Sequence, residues 1–128
     1  MKSLVVPLTV VAITPALVLP VASQQYTQAD INFFTQVANQ SFQAGPPIEK
    51  YNYLVSAAQK RDIAQRTCSI YNAGSQVRRD RVVASILPRV FPGLAANELK
   101  ETAQFTKIVA IAGVKTYCPW HQPKIDLN

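Results

Sequence analysis

Between Leu4 and Leu19 the chain is apolar except for Pro7, Thr9, Thr14 and Pro15, and Lys2 places a positive charge just ahead of this run. That is the grammar of a secretory signal peptide. A membrane-spanning helix needs about 20 apolar residues. This run approaches that length only if it is carried to Ala22 across three prolines, each of which interrupts a helix interior. Pro20 closes the stretch just before Val21-Ala22-Ser23, whose small residues suit cleavage after Ser23 or after Ala22. No cysteine stands at the cut and no twin arginine precedes the run, which argues against a lipid anchor and a twin-arginine route. The expectation is a signal peptide over 1–23 and a single domain over 24–128, exported to the periplasm, the cell envelope or the medium. An uncleaved anchor is the competing reading.

What remains after such a cut is about 105 residues, enough for one modest core. Two cysteines stand in it, Cys68 and Cys118. In an oxidising compartment a bridge between them is the simplest assumption. On the chain-entropy account a loop of that length adds at most about 4 kcal/mol. Redox or metal-binding thiols are the alternative, opposed by the absence of a C-x-x-C pair and by a single histidine, which falls short of a four-ligand zinc site. No cofactor or metal is therefore expected.

Thirteen Lys and Arg, less Lys2, stand against seven acidic residues, so the domain carries +5 with its histidine neutral. Outside the cytoplasmic membrane the polyanions within reach are lipid headgroups, envelope polysaccharides and polyphosphates. Nucleic acid is not expected: no aromatic residues alternate with basic ones to make a stacking surface.

Periodicity predicts an all-α fold, a small bundle of about four helices. Thr27 with Asp30 resembles a capping box, and Ile31, Phe34, Ala38 and Phe42 recur on one side of a first helix. Gly45-Pro46-Pro47 ends it in a stiff turn. From about Asn52, residues Leu54, Ala57, Ala64, Cys68 and Tyr71 follow helical spacing to Gly74, with Arg61 intruding on the stripe. Ser75 can cap a third helix, in which Val83, Ile86, Leu87 and Val90 face the core. Pro88 is expected to stop or kink it near Leu87. A fourth helix should run from about Asn97, a possible cap, to Tyr117, with Glu98 and Glu101 complementing its dipole. Its second half, Ile108 to Val114, is almost wholly apolar, which makes it the centre of the bundle, with Gly113 marking a close approach. The tail Pro119-Trp120-His121-Gln122-Pro123 is extended or folded back.

The stretch Cys68-Ser69-Ile70-Tyr71-Asn72-Ala73-Gly74, an amphipathic helix, and then Ala112-Gly113-Val114-Lys115-Thr116-Tyr117-Cys118-Pro119 resembles the pattern of domain of unknown function 732. That family consists of short exported, largely mycobacterial proteins with two cysteines. The resemblance covers roughly Phe33 to Pro119. It implies an all-helical fold and a Cys68–Cys118 disulfide, and it implies no reaction.

Few residues suggest chemistry. His121 is the only histidine and sits among Trp120, Gln122 and prolines, so no nucleophile-base pair is built around it and an enzyme is not expected. Asp62 and Arg66 have the spacing of an exposed ion pair. Arg78, Arg79, Arg81 and Arg89, with Lys60, Arg61 and Arg66 on the preceding helix, are the best candidate surface. Among them Arg61, Arg66, Arg78, Arg79 and Arg81 are the anion-binding candidates, since guanidinium groups recognise phosphate and carboxylate through paired donors. A solvated helical face diluted by Asp62 and Asp80 is the simpler account. Tyr51, Tyr53, Tyr71 and Trp120 either line a ligand groove or pack the core. The leading functional expectation is an exported, non-enzymatic binding or envelope-associated module with a basic face, its partner an anionic envelope component or a protein. The alternative is a small carrier holding an apolar ligand between helices.

Overall fold

The computed structural model describes residues 26–74 and 76–126. The expected signal peptide, its cut and the expected cap at Ser75 lie outside the described residues. Within them the protein is all-α: α1 (Gln28–Ala44), α2 (Pro46–Leu54), α3 (Ala57–Asn72), α4 (Arg79–Val90), α5 (Ala96–Tyr117), a 3-10 turn (Pro119–His121) and α6 (Gln122–Asp126). Four long helices form the bundle, and α2 and α6 are short additions to it.

At the start of α1 the capping box forms as its residues suggest: Asp30 N–H donates to Thr27 Oγ1 at 3.1 Å, and Thr27 N–H donates to Asp30 Oδ2 at 3.0 Å. The buried face, however, is Asp30, Phe33, Val37 and Ser41. It lies one residue before the expected stripe, and Ile31 and Phe42 are exposed. Neighbouring stripes on a helix differ by about 100°, and the adjacent Phe33 and Phe34 allow either one.

Gly45 carries the positive φ that ends α1, and its N–H caps Phe42 O. Pro46 and Pro47 do not make a loop. They occupy the first turn of α2, where a missing N–H costs nothing.

The helix expected from Asn52 to Gly74 is two helices. Val55 is extended and buried, and Ser56 opens α3 with a second capping box, donating its N–H to Gln59 Oε1 at 2.9 Å and accepting from Gln59 N–H at 3.1 Å. Leu54 therefore leaves the apolar stripe and is exposed. Lys60, at the edge of burial, donates to Asn52 O at 2.8 Å. That carbonyl belongs to the last turn of α2, where a cation also meets the negative end of the dipole. Burial lowers the pKa of Lys60.

Helix α4 starts with Arg78 at the N-cap position and no side-chain cap, and it continues through Pro88 to Val90 rather than ending near Leu87. Pro88 and Ala84 are not buried, so the carbonyl left unpaired lies on the outer side of the helix instead of in the core. Val82, Val83 and Ile86 are buried.

Helix α5 begins two residues earlier than a cap at Asn97 would place it, with Ala95 at the cap position. It is the central element, touching α1, α2, α3, α4, the 3-10 turn and α6. Its buried threonines are satisfied locally: Thr102 Oγ1 donates to Glu98 O at 2.9 Å and Thr106 Oγ1 to Thr102 O at 2.8 Å. Gly113 marks the closest approach of α5 to α3, since a Cβ there would lie 2.5 Å from Ala64 Cβ. Just beyond this contact Cys68 and Cys118 form the disulfide, with Cα atoms 6.0 Å apart. The tail folds back, and Ile125 becomes part of the core.

Candidate functional site

The basic residues singled out from the sequence do not gather at one point, because several are engaged in holding the fold. Arg61 intrudes on the apolar stripe of α3 for a reason: its Nε lies 3.7 Å from Asp30 Oδ1. Asp30 is buried, and a buried carboxylate needs compensation. It receives hydrogen bonds from the Tyr117 hydroxyl and the N–H of Thr27 and lies near the charge of Arg61, whose guanidinium is also 5.9 Å from the centre of the Tyr26 ring. The Tyr117 hydroxyl is the main reason that the pKa of Asp30 falls below its ordinary value. Burial opposes the shift, and Thr27 and Arg61 add to it. Tyr117 is pushed far above its usual range, first by burial and then by the hydrogen bond to Asp30 and its charge.

Arg79 is turned partly inward, with Nη1 donating to Ile125 O at 3.3 Å, so it anchors the tail. Arg66 donates through Nε to Asp62 Oδ2 at 2.8 Å, the expected i,i+4 pair. Arg78, Arg81 and Arg89 are at the surface, and the last two share one stripe of α4 with Ser85.

Two hollows on either side of α4 are lined by basic residues. A cleft of about 520 Å³ between α3 and α4 is lined by Asp62, Gln65, Arg66, Ser69 and Ile70 on one wall and by Ser85, Ile86 and Arg89 on the other. On the opposite flank, a groove of about 420 Å³ between α4 and α5 has Val83, Ala84, Leu87 and Ala103 as its apolar surface, edged by Asp80, Lys100, Gln104 and Lys107. A third hollow of about 380 Å³ lies beside the disulfide, lined by Arg61, Gln65, Cys68, Ser69 and Tyr117.

Groups that could have carried other chemistry are engaged in packing. His121 is buried against the Tyr71 ring at 5.8 Å, and its Nε2–H donates to Asn72 Oδ1 at 2.7 Å, fixing the tail to the end of α3. Tyr51 and Tyr71 belong to the core while Tyr53 and Trp120 are on the surface, so the four do not share a groove. Glu101 pairs with Lys50 at 3.5 Å, and Glu98 lies in the first turn of α5. Among the described residues no three His, Cys, Asp or Glu side chains are grouped to hold a metal ion, and no helix is long and apolar enough to cross a membrane.

Sequence reasoning missed the Asp30–Tyr117 contact and the Lys100–Lys107 groove. The first had a signal in the misplaced Arg61. The second had one in two lysines seven residues apart on α5 with Ala103 between them, a two-turn stripe that reads equally as an ordinary solvated edge. No protein-family model, curated protein or solved structure matches this chain.

Proposed function

We propose that this is an exported, non-enzymatic binding module whose basic face, centred on α4, takes an anionic component of the cell envelope. The observation that carries this reading is the placement of Arg66 and Arg89 along one flank of α4 and Lys100 and Lys107 along the other. Arg81 adds a further exposed cation on α4 itself. The acidic residues lining these two flanks are Asp62 and Asp80. Long-range attraction of a polyanion to such a surface is screened by salt over about 8 Å at physiological ionic strength. The bridge between Cys68 and Cys118 agrees with an oxidising compartment. Membership of domain of unknown function 732 belongs to the same proposal, supported by the two-cysteine helical pattern.

A second reading, a small carrier of an apolar ligand, is favoured by the apolar surface of the α4–α5 groove. One experiment separates the two: cosedimentation of the oxidised protein with vesicles of anionic and of zwitterionic phospholipid across a salt series. Retention confined to anionic vesicles and lost as salt rises supports the basic face. Salt-independent retention on both kinds of vesicle transfers the preference to the carrier, and no retention on either sinks lipid as the partner of both.

A further inference from the structure

The cleft between α3 and α4 and the hollow beside the disulfide are not separate. Gln65 and Ser69 line both, so the two meet across α3 at a saddle. Arg61 stands in the hollow at one end, and Arg66 and Arg89 stand in the cleft at the other. Each is positioned differently. Arg61 is partly exposed while held toward Asp30. Arg66 is braced through its Nε by Asp62, and Arg89 projects from the last turn of α4 with no partner among the described residues. Ser69 is exposed and its hydroxyl is likewise without a partner among the described residues, which leaves a donor where the two hollows meet. The support beneath is rigid, because the Ala64–Gly113 contact and the disulfide clamp α3 to α5. A preorganised row of donors loses little entropy when a ligand settles on it.

We infer that this furrow binds a linear chain of linked phosphates, with Arg61 at one end, Arg66 and Arg89 at the other, and Ser69 and Gln65 under its middle. The inference rests on the proposal that the basic face takes an anionic partner, and it names the chemistry of that partner. A single phosphate can satisfy only one end of the furrow. Guanidinium groups suit phosphate because their paired N–H donors match its oxygens, and a chain engaging both ends gains from the second contact being intramolecular. Arg61 and Arg66 are five residues apart on α3, a rise of about 7.5 Å with about 140° of rotation around the helix between them, so one phosphate group does not reach both ends.

The test is titration of the oxidised protein with medium-length inorganic polyphosphate and with orthophosphate at matched phosphate concentration and fixed ionic strength, followed by amide chemical shifts. Polyphosphate should bind at least about tenfold more tightly than orthophosphate and move residues of both hollows together. The Arg66→Gln/Arg89→Gln variant should lose about tenfold or more in affinity for the chain, as expected when charge-assisted bonds are removed. Lys115→Gln/Lys124→Gln removes the same charge from residues that line neither hollow and should lose less than about threefold. Ser69→Tyr, at an exposed position and with no change in charge, should bring polyphosphate binding down to the orthophosphate level. Equal losses in the two double variants, or equal affinity for the two phosphates, overturn the furrow. Failure of polyphosphate to bind while anionic vesicles still do removes the furrow and leaves the basic-face proposal intact; failure of both removes both.

Discussion

Asp30 does two jobs that pull in different directions. As the third residue of a capping box it must accept the N–H of Thr27, and as a buried side chain it must find compensation for a charge removed from water. The Tyr117 hydroxyl and Arg61 supply that compensation from two other helices. Because its folded pKa lies below the ordinary 3.8, its contribution to stability is fully present above pH 3.8 and is lost as pH falls through the folded value. Tyr117 behaves oppositely. Its pKa is raised from the ordinary 10.0, so its contribution is complete below pH 10.0 and is lost as pH rises above that value toward the folded one. Asp30→Asn should cost about 1–3 kcal/mol at neutral pH and flatten the acid limb of a melting-temperature profile. An acid limb as steep as that of the native protein would show that other carboxylates control it. In the sequence Asp30 is legible as a cap and Arg61 as a misfit, but they stand far apart in the chain, at positions 30 and 61, and nothing local links one to the other.

Helices are legible in this chain by their stops and starts more than by their faces. Gly45-Pro46-Pro47 has to end one helix, yet whether the prolines form a loop or open another helix depends on the residues beyond them, and here Ile48 and Tyr51 are drawn into the core. The Ser56–Gln59 capping box is hidden in the sequence because the apolar stripe runs on across it with unbroken spacing. On α1 the Phe33-Phe34 pair offers two adjacent faces, and the choice is made by contact with α5, where Phe33 meets the Tyr117 ring at 5.3 Å. Gly113 is legible as a close approach because a glycine in an apolar helix has few other uses. Alanine there would gain up to about 1 kcal/mol of helix propensity. It would also put a methyl 2.5 Å from Ala64 Cβ, with the backbone Cα of Ala64 only 2.8 Å away. Overpacking against backbone should win, and Gly113→Ala should lower stability by about 1–3 kcal/mol in urea unfolding. A variant as stable as the native protein would mean that α3 and α5 can separate at no cost.

For the molecule as a whole, the disulfide and the central helix decide the arrangement together. The bridge spans 50 residues, closing a loop that contains α4 and α5. Cys68→Ala/Cys118→Ala should keep its helical circular dichroism, since the core is contiguous without the sulfurs, and should lose about 2–4 kcal/mol of unfolding free energy. Loss of helical signal would show that the bridge is needed to form the fold, and an unchanged urea midpoint would show that it contributes nothing. The candidate surface is only partly legible at this scale. The spacing of Asp62 and Arg66 announces their pairing, while Arg61 and Arg79 are partly used up by the fold, one beside Asp30 and one at the Ile125 carbonyl. The arginine count therefore overstates the free charge, and the lysines edging the α4–α5 groove carry no mark in the sequence that sets them apart from any solvated edge.

By itself the sequence determined that the described chain is helical, that Gly45 and Gly74 punctuate it, and that its last long helix is central. These are properties of composition and of spacing within a few residues, where backbone geometry acts directly. The tertiary structure alone decided which face of α1 is inside, which arginines remain available, and that Gln65 and Ser69 join two hollows into one path. Each of those depends on side chains from separate helices meeting in space, and the sum of many weak packing contacts selects that meeting without leaving a local mark in the chain.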